Sequence, residues 1–407
     1  MHILIPTVSV PIYFKDITNS IWLSIFSKRE KLLEVFKKNI SNNIVFKYVR
    51  TFQSGYLSLY HLLVKIKGNN QSGEIIIPVY TCPSVYFAVK NSDLIPIFID
   101  AELNTLNASL ENIETKISKN TLAIIVQHIF GCYSVDIKNI RILLRKLGRE
   151  DIVIIEDMCQ ALGDISNSRS SDKQYGDYGI LSFGRAKMIS TVNGGALVSN
   201  NLEILDIKSD KNQNGFNKNL IICIKSVIFS VIIKPYFFKI AHLILNKKRL
   251  ADPYNLKDYM RIDYSNDDEL TNFQLSLGIN MLKRLGNFNS IRKSNAEFYI
   301  KYFNDESKYT IQPSVNNLYL RFSVLFKKAD DREFVKDFLL NNGIITSIRD
   351  YPLLSTIHDF QASAFSDDFC NASLIECEIL TFPTHPGVRM KDYTNLFDEL
   401  MQRLEDN

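Results

Sequence analysis

Short apolar runs alternate with helix-like segments through the first half of the chain. The runs have the length and composition of buried strands, and they are Glu74–Pro78, Leu94–Ile99, Leu122–Gln127 and Ile152–Ile155. The segments with a helical spacing of apolar residues are Tyr56–Lys65, Pro83–Lys90 and Ile137–Leu147. This alternation is typical of a largely parallel sheet covered by crossover helices. The pattern therefore predicts an α/β domain that starts near Thr51 and runs to about Asn201.

Both ends of the chain depart from this pattern. Residues 1–50 are predicted to form an N-terminal arm with an amphipathic helix near Ser27–Lys38. From about Asp263 the pattern predicts a smaller α+β domain, with elements at Thr271–Leu285, Arg292–Phe303, Tyr319–Phe326 (the strand) and Asp331–Asn341. A chain of 407 residues exceeds the usual size of one core. We therefore predict an arm (1–50), a large domain (51–218), an insertion (219–262) and a small C-terminal domain (263–407).

The insertion is unusually apolar between Asn219 and Arg249, and all of its charged residues there are basic. Its longest uninterrupted apolar stretch, Ser226–Ile233, is far shorter than the roughly 20 residues that a membrane-spanning helix needs. Pro235 divides the segment, which predicts a pair of short amphipathic helices. Such helices could pack at a dimer interface or against the core, cover the active site, or lie on a membrane surface. The last possibility predicts an enzyme of a membrane-proximal pathway, such as the synthesis of surface glycolipids or polysaccharides.

Composition narrows the class of protein. Hydrophobic residues make up 46% of the chain and charged residues 23%, which are ordinary values for a globular enzyme. The net charge of +4 is too small to indicate nucleic-acid binding. The six cysteines have neither metal-site nor disulfide spacing. With no signal peptide at Met1, we expect a protein of the reducing cytoplasm that binds no metal.

A carboxylate, a hydroxyl and a lysine follow one another in an order that suits pyridoxal phosphate. Asp157 comes just after a predicted strand, and Ser182 and Lys187 precede the pair Gly194-Gly195. The lysine can form a Schiff base with the cofactor's aldehyde, and the carboxylate can keep the pyridinium nitrogen protonated so that the ring accepts electrons. A strand-end aspartate alone is usually a simple cap. The order and spacing of the three together indicate a pyridoxal-phosphate site.

The turn Gln53-Ser54-Gly55-Tyr56 adds a second candidate contact. A helix is predicted to begin here, and the first N–H groups of a helix are well placed to bind phosphate. The simpler alternative is an ordinary capped helix with Ser54 or Gly55 in the cap. Next to Ser182 and Lys187, we favour the phosphate role.

At these residues the chain resembles the DegT/DnrJ/EryC1/StrS sugar aminotransferases, which are fold-type I pyridoxal-phosphate enzymes. The resemblance runs from about Thr51 to the C-terminus with one interruption, and it is carried by segments such as FQSGYLSLYHLL, IPVYTCPSV, VIIEDMCQALG, GDYGILSFGRAKMISTVNGGALVSN and TNFQLSLGINMLKRL. It implies that Asp157 is the pyridinium partner, that Gln160 reaches the ring hydroxyl, that Ser182 binds the phosphate and that Lys187 carries the cofactor. Some relatives have a histidine in place of this lysine and dehydrate sugars, so Lys187 indicates amino transfer.

The chain departs from the family pattern at two places. The family usually has Gly-Thr where this chain has Gly55-Tyr56, so the backbone contacts to phosphate are kept and a threonine hydroxyl is lost. Cys82 stands where the family has an aromatic residue that stacks on the cofactor ring. Tyr80 or Phe130 is a candidate replacement, and a core tyrosine is an equally good interpretation of Tyr80.

Substrate contacts are less specific in the sequence. His128 follows a predicted strand and is a candidate for the wall of the substrate cavity, with a core histidine as the alternative. Arg321 and Arg261 are candidates for binding an anionic substrate, with an ordinary salt bridge as the alternative. The resemblance implies that a partner subunit contributes an asparagine, for which Asn266 is the nearest candidate and a surface asparagine the simpler interpretation.

These observations predict a homodimeric fold-type I enzyme with a large, mostly parallel domain and a smaller α+β domain. We expect it to move an amino group from an amino acid, for which we take glutamate, to a keto-sugar that is nucleotide-linked. Two alternatives stay open. One is other pyridoxal-phosphate chemistry on the same fold, such as sugar dehydration or an amino-acid transformation. The other is a non-enzymatic membrane-surface or regulatory relative.

Overall fold

The computed structural model describes residues 4–70, 72–133, 137–163, 175–207, 216–232, 234, 236–240, 269–348, 350–351 and 369–406. The candidates Arg261 and Asn266, and the second half of the apolar insertion from residue 241, lie outside the described residues.

A seven-stranded sheet forms the centre of the large domain. Its strands are β1 (Tyr48–Phe52), β2 (Glu74–Pro78), β3 (Ile95–Ile99), β4 (Thr121–Gln127), β5 (Val153–Asp157), β6 (Tyr178–Ser182) and β7 (Gly195–Ser199). Their order across the sheet is β1-β7-β6-β5-β4-β2-β3. The neighbours from β6 to β3 run parallel, whereas β7 is antiparallel to both β6 and β1. The predicted α/β fold is therefore confirmed, and each of the four apolar runs overlaps a strand.

Helices cover both faces of this sheet. They are α3 (Gly55–Lys67), α4 (Pro83–Asn91), α5 (Leu110–Lys116) and α6 (Ile137–Lys146). Side chains alternate along each strand, so a continuous apolar run supplies both faces. Ile75 and Ile77 pack in the cluster that contains residues of α3 and α4, whereas Ile76 between them packs with residues of α5 and α6. Burial on two sides explains why the strands of this domain are apolar runs rather than alternating patterns.

Three further helices build an outer layer against β6, β7 and the loop between them. They are α1 (Phe14–Phe26), α2 (Arg29–Ser41) and α8 (Asn272–Leu282), and α8 begins with a capping box between Thr271 and Gln274. The predicted arm helix corresponds to α2, and α1 is an additional helix that the sequence pattern did not indicate. Helix α7 (Phe216–Ile232) contains the first part of the insertion and contacts both α1 and α8.

The C-terminal region forms a smaller α+β unit. The antiparallel sheet β10-β9-β8 joins β8 (Tyr309–Ile311), β9 (Phe322–Phe326) and β10 (Ile379–Phe382). The helices are α9 (Leu285–Ile300), α10 (Ala329–Asn341), α11 (Cys370–Glu378) and α12 (Thr394–Glu405). The predicted strand Tyr319–Phe326 begins only at Phe322, because Tyr319 has a φ of 49°, which no strand accommodates. The domain boundaries drawn from the sequence stay predictions.

Two kinds of feature are absent from the described residues. Within those ranges, no helix is both long and apolar enough to cross a membrane. The same part of the chain contains no cluster of histidine, cysteine and acidic side chains that could hold a metal ion.

Candidate active site

Neighbouring parallel strands bring the predicted chemistry to one edge of the sheet. Gln127 ends β4 and is paired in register with Asp157, which ends β5. Ser182 ends the next strand, β6. Ligands of such sheets bind beyond the carboxyl ends of the strands, because the loops and helix N-termini meet there. The topology therefore converts residues that are far apart in the sequence into one group.

A cavity of about 200 Å³ lies at this edge. Seven of the candidate site residues from the sequence line it: Gly55, Tyr56, His128, Asp157, Gln160, Ser182 and Lys187. Cys82 and Cys159 line it as well. The candidates Tyr80 and Arg321 are not among the described residues that line the cavity. The cavity thus unites the candidate lysine, carboxylate and hydroxyl with the N-terminus of α3.

Lys187 lies on a loop that is fixed at both of its ends. The backbone N–H of Phe183 donates to the carbonyl of Gly194 at 2.8 Å, and the N–H of Thr191 donates to the carbonyl of Phe183 at 2.9 Å. Next to the lysine, Met188 is buried and its carbonyl accepts a hydrogen bond from Arg292 at 3.0 Å. The Lys187 side chain is consequently placed at the cavity by a loop that these hydrogen bonds hold in position.

Arg292 is a support that sequence reasoning missed. Its side chain is fully buried and also donates to the Asn289 side chain at 2.8 Å. Desolvation lowers the pKa of Arg292 to about 9, which still leaves it charged at neutral pH. A buried cation needs hydrogen-bond acceptors, and one of these is the carbonyl of Met188 beside Lys187. Only the folded chain brings this arginine of α9 to that loop.

The N-terminus of α3 approaches the sheet very closely. Ser54 caps the helix by accepting a hydrogen bond from the N–H of Leu57 at 3.1 Å. A Cβ atom on Gly55 would lie 3.1 Å from the Cβ of Ser182, and one on Gly195 would lie only 2.3 Å from the backbone nitrogen of Gly55. Gly195 is therefore required for this approach, and Gly55 leaves little room for a side chain. The approach brings the first N–H groups of the helix next to the Ser182 hydroxyl, which together form a cradle suited to phosphate.

The side chain of Tyr56 takes no part in that cradle. Its hydroxyl accepts a hydrogen bond from the side chain of Asn91 at 2.9 Å, and its ring stacks on Tyr60 with 6.4 Å between centroids. The residue therefore braces α3 against the end of α4. Its place in the predicted phosphate contact depends on the backbone alone.

Asp157 is held in place by the backbone that follows it. Its Oδ1 atom accepts a hydrogen bond from the N–H of Cys159 at 3.0 Å. Desolvation, and next the Asp157 carboxylate, raise the pKa of the Cys159 thiol well above its usual value. The thiol therefore stays neutral, and Asp157 is not opposed by a second anion at this point. A carboxylate in such a setting can pair with a cationic ring nitrogen.

Gln160 makes contacts within the protein at both ends of its amide. Its oxygen accepts from the backbone N–H of Phe130 at 3.1 Å, and its Nε2 donates to the hydroxyl of Tyr351 at 2.6 Å. Tyr351 was not indicated by the sequence, because it follows Gln160 by 191 positions. Desolvation raises the pKa of Tyr351 well above its usual value, so its hydroxyl stays protonated.

The aromatic candidates form a cluster around Tyr351. The ring of Phe130 lies nearly parallel to that of Tyr351 at 6.4 Å, and the ring of Tyr80 meets it edge-on at 6.0 Å. Tyr80 and Phe130 are fully buried. At the cavity wall itself stands Cys82, the residue that replaces the family's aromatic, and its sulfur accepts a hydrogen bond from the Ser84 hydroxyl at 3.1 Å.

The two substrate candidates differ in their surroundings. His128 is buried at the cavity wall, and its Nε2 lies 2.8 Å from a carboxylate oxygen of Glu156. Glu156 also accepts a hydrogen bond from the backbone N–H of Gly176 at 2.7 Å. Arg321 forms an ion pair with Asp350, and its guanidinium lies 5.6 Å from the centre of the Phe130 ring. His128 therefore lies both in the core and at the cavity, whereas the charge of Arg321 is already compensated.

This set of donors fits pyridoxal phosphate. A glycine cradle with a serine hydroxyl suits the phosphate, a fixed carboxylate suits the ring nitrogen, and a lysine at the same cavity suits the aldehyde carbon. The individual roles of these residues stay predictions.

Known proteins match most of the chain. It is 30% identical to the GDP-perosamine synthase of Vibrio cholerae over 194 residues, which are 48% of this chain and 50% of that protein. The chain thus spans about half the length of this relative. It is 24% identical to the GDP-perosamine synthase of Escherichia coli O157:H7 over 349 residues, which are 84% of this chain and 81% of that protein.

A solved structure confirms the fold. The E. coli GDP-4-keto-6-deoxy-D-mannose-3-dehydratase with bound hydrated pyridoxal phosphate superimposes with a TM-score of 0.73. The match covers 99% of this chain and 100% of that one, at 19% sequence identity. Pyridoxal phosphate, which the sequence predicts, is thus the cofactor of a structural relative.

The family resemblance is confirmed over nearly the whole chain. The model of the DegT/DnrJ/EryC1/StrS aminotransferase family matches residues 13–222 and 243–401, and the unmatched residues 223–242 lie inside the predicted insertion. The chain therefore belongs to the DegT/DnrJ/EryC1/StrS aminotransferase family.

Proposed function

We propose that this protein is a pyridoxal-phosphate-dependent aminotransferase that moves an amino group from glutamate to a nucleotide-linked keto-sugar. Membership of the aminotransferase family supports the reaction class. The names of the two GDP-perosamine synthases support a GDP-linked sugar as the acceptor. The product would serve the synthesis of a surface polysaccharide or a related glycan in the cytoplasm.

One observation carries the proposal: Lys187 lines the same cavity as Asp157 and Ser182. Amino transfer needs a base that removes a proton from the carbon bearing the amino group and returns it elsewhere, and a lysine amine can do both. When bound, pyridoxal phosphate supplies the electron sink and carries the amino group between the two substrates.

Each residue of the site has a definite task in this scheme. Lys187 binds the cofactor and then holds the transferred proton on its Nζ atom. The negative charge of Asp157 keeps a proton on the ring nitrogen. The Ser182 hydroxyl and the N-terminus of α3 hold the phosphate, and they fix the position of the reacting carbon relative to Lys187. Gln160 orients the ring from a rigid support, since Phe130 and Tyr351 hold its amide.

Sugar dehydration is the second candidate, because a solved relative is a dehydratase. The two reactions differ in their products. Amino transfer converts glutamate to 2-oxoglutarate and the keto-sugar to an amino-sugar, one for one. Dehydration removes a hydroxyl from the sugar as water and leaves no amino group on it. Lys187 favours the first reaction, since its amine can return the proton that completes the transfer.

Incubation of the purified protein with pyridoxal phosphate, glutamate and GDP-4-keto-6-deoxy-D-mannose tests the proposal. We expect equal amounts of 2-oxoglutarate and an amino-sugar nucleotide, identified by mass spectrometry. A deoxygenated sugar without nitrogen would establish dehydration instead. Protein that retains no cofactor absorbance, once it has been mixed with pyridoxal phosphate and separated from the unbound cofactor, would contradict both and favour a non-enzymatic relative. A panel of other nucleotide keto-sugars then defines the acceptor.

We further propose that the enzyme is a homodimer, as the family resemblance implies. Light scattering during gel filtration should give twice the mass of one chain, 46.8 kDa. A monomer that is fully active would contradict this part of the proposal.

A further inference from the structure

Two helices outside the catalytic domain's core share an unusual outer surface. Helices α1 and α7 lie against each other, and both pack on α8. The inward side of α7 is formed by Ile222 and Ser226, which are buried, and by Cys223 and Phe229, which are partly buried. The sides that face away from α8 are therefore the ones open to the surroundings.

These outward sides are apolar. On α1 they expose Phe14, Ile21, Trp22, Ile25 and Phe26, and on α7 they expose Leu220, Ile221, Ile224, Val227, Ile228 and Val231. We call this surface the outer face. Beyond α7, Tyr236, Phe237 and Ile240 are exposed too. A surface helix normally turns polar residues outward, and an apolar patch formed by two neighbouring helices is typical of a docking surface.

The exposed charges that the structure describes on α1, on α7 and just after α7 have one sign. The exposed charged residues of the two helices are Lys15, Lys218 and Lys225, and Lys234 and Lys239 follow α7. The acidic residue of α1, Asp16, is turned inward, where its carboxylate accepts hydrogen bonds from its own helix N-terminus and from Arg284. From residue 211 to residue 251 the sequence contains no aspartate or glutamate at all.

This charge pattern decides between the possible occupants. In a symmetric contact with a second copy, the same patch meets itself. Lysines such as Lys15 and Lys225 would then meet lysines, and the described residues of α1 and α7 present no exposed carboxylate that could compensate them. A lipid surface with anionic headgroups suits both the apolar side chains and the lysines of this surface. The boundary of the acyl chains accepts apolar and aromatic side chains, and the headgroups attract the lysines around them.

We propose that the outer face of α1 and α7 docks this protein on an anionic membrane surface, with both helices lying along the lipid headgroups. The family model leaves residues 223–242 unmatched, so the outer-face residues from Ile224 to Val231 lie outside the family's common pattern, whereas those of α1 lie within it. The proposal does not depend on the reaction that the active site catalyses. It requires only that the described helices α1 and α7 present these side chains.

Vesicle binding tests the proposal directly. The full-length protein should sediment with vesicles that contain phosphatidylglycerol at low salt, less so at high salt, and not with vesicles of phosphatidylcholine alone. Trp22 is the single tryptophan of the chain and is 58% exposed. Its fluorescence should therefore shift to shorter wavelength only with the anionic vesicles.

Paired variants separate the outer face from the rest of the surface. Ile224 and Ile228 are 49% and 52% exposed on α7, and Ile142 is 52% exposed on α6. Ile224→Glu with Ile228→Glu should weaken vesicle binding by about tenfold or more. Ile142→Glu, a matched change of an equally exposed helical isoleucine, should leave binding unchanged. Lys225→Gln should weaken binding about fivefold, whereas Lys301→Gln in α9's C-terminal turn should not.

Several results would overturn the proposal. The first is wild-type protein that stays in the supernatant with anionic vesicles at low salt. Equal binding to neutral and to anionic vesicles would contradict the role of the lysines. A loss of binding in the Ile142→Glu variant as large as that in the α7 double variant would contradict the role of the outer face. Gel filtration that shows the α7 double variant falling from a larger to a smaller oligomer, with no lipid binding by the wild type, would assign the face to a second copy. Should the double variant unfold, the salt dependence and the Trp22 signal of the wild type still decide the question.

Discussion

Replacing Gly195 by alanine should open the phosphate cradle without touching any chemical group of the active site. The added Cβ would lie 2.3 Å from the nitrogen of Gly55 and 2.4 Å from the carbonyl carbon of Ser54, whereas ordinary contacts begin at 3.4 Å. Both neighbours are backbone atoms at the start of α3, so no side chain can move aside. The helix N-terminus must therefore retreat from β7 by about 1 Å, the difference between 3.4 and 2.3 Å.

A retreat of that size removes hydrogen bonds from the phosphate. A donor at about 2.9 Å would move to nearly 4 Å, which is no longer a hydrogen bond. Hydrogen bonds to a charged group contribute about 1.5–3 kcal/mol each. The loss of one therefore raises the dissociation constant of pyridoxal phosphate by roughly ten- to a hundredfold. Titration of cofactor-free protein, followed by absorbance, measures this constant. The melting temperature of the variant should also gain less from added cofactor.

Two other glycines provide matched controls. A Cβ on Gly184 would lie 3.7 Å from the hydroxyl oxygen of Ser182 and 3.8 Å from Cγ of Lys187, which are ordinary contacts. A Cβ on Gly286 would meet nothing within 4 Å. Both alanine variants should bind the cofactor like the wild type. If Gly195→Ala also binds it like the wild type, or if Gly184→Ala is impaired as strongly, the cradle does not depend on this close approach.

Three further predictions concern single side chains. Lys187→Ala should abolish both borohydride-trapped labelling by pyridoxal phosphate and amino transfer, while Lys301→Ala retains them; peptide mass spectrometry that finds the label on another lysine would refute the assignment. Asp157→Asn should still bind the cofactor, yet lower the rate of amino transfer by orders of magnitude, because the amide lacks the charge that keeps the ring nitrogen protonated; near wild-type turnover would contradict that role. Desolvation by burial lowers the pKa of His385 from 6.5 to about 4, and it outweighs the hydrogen bond from Nε2–H to the carbonyl of Pro6, which acts in the opposite direction. Between about pH 6.5 and 4, His385 is therefore protonated in the unfolded chain and neutral in the folded chain. As the pH decreases through this window, the free energy of unfolding should fall by on the order of 3 kcal/mol. Urea titrations of the wild type and of His385→Gln should show a weaker pH dependence in the variant, and identical pH dependences would refute the argument.

The sequence predicted the central sheet well because its strands are buried on both faces. The buried positions of such a strand must be apolar on both faces, as Ile75–Pro78 are in β2, and the predicted run Glu74–Pro78 coincides with the observed strand. Where backbone conformation rather than burial sets a boundary, the prediction was less accurate. Tyr319 and Leu320 are as apolar and buried as the strand that follows them, yet the positive φ of Tyr319 keeps them out of β9.

Helix α1 could not be predicted from its pattern because apolar residues lie on both of its sides. Ile17 is buried against the protein, whereas Trp22, Ile25 and Phe26 are exposed. An amphipathic search relies on a polar outward side, which α1 lacks. The same property that concealed the helix from sequence reasoning makes its outer surface a candidate for docking.

The local parts of the active site follow from the sequence, whereas its supports do not. Ser182 and Lys187 are close in the chain, and the strand-end position of Asp157 places it beside them once the sheet is parallel. Arg292 and Tyr351 reach the same region from α9 and from the loop before residue 352. Nothing near either residue in the sequence indicates such a partner, because both contacts depend on how the small domain packs on the large one.

The two departures from the family pattern affect side chains and leave the backbone of the cradle intact. Tyr56 replaces the family's threonine, and its hydroxyl is taken up by Asn91 at the end of α4. The N-terminus of α3 keeps its position nevertheless, because Gly55 and Gly195 set it through backbone contact. Cys82 presents a small thiol at the wall where the family has a ring, so this chain gives up stacking area there. If Asp157 and the cradle have the roles proposed for them, the cofactor's orientation depends more on these two, and for this reason we expect a change as small as Gly195→Ala to have so large an effect.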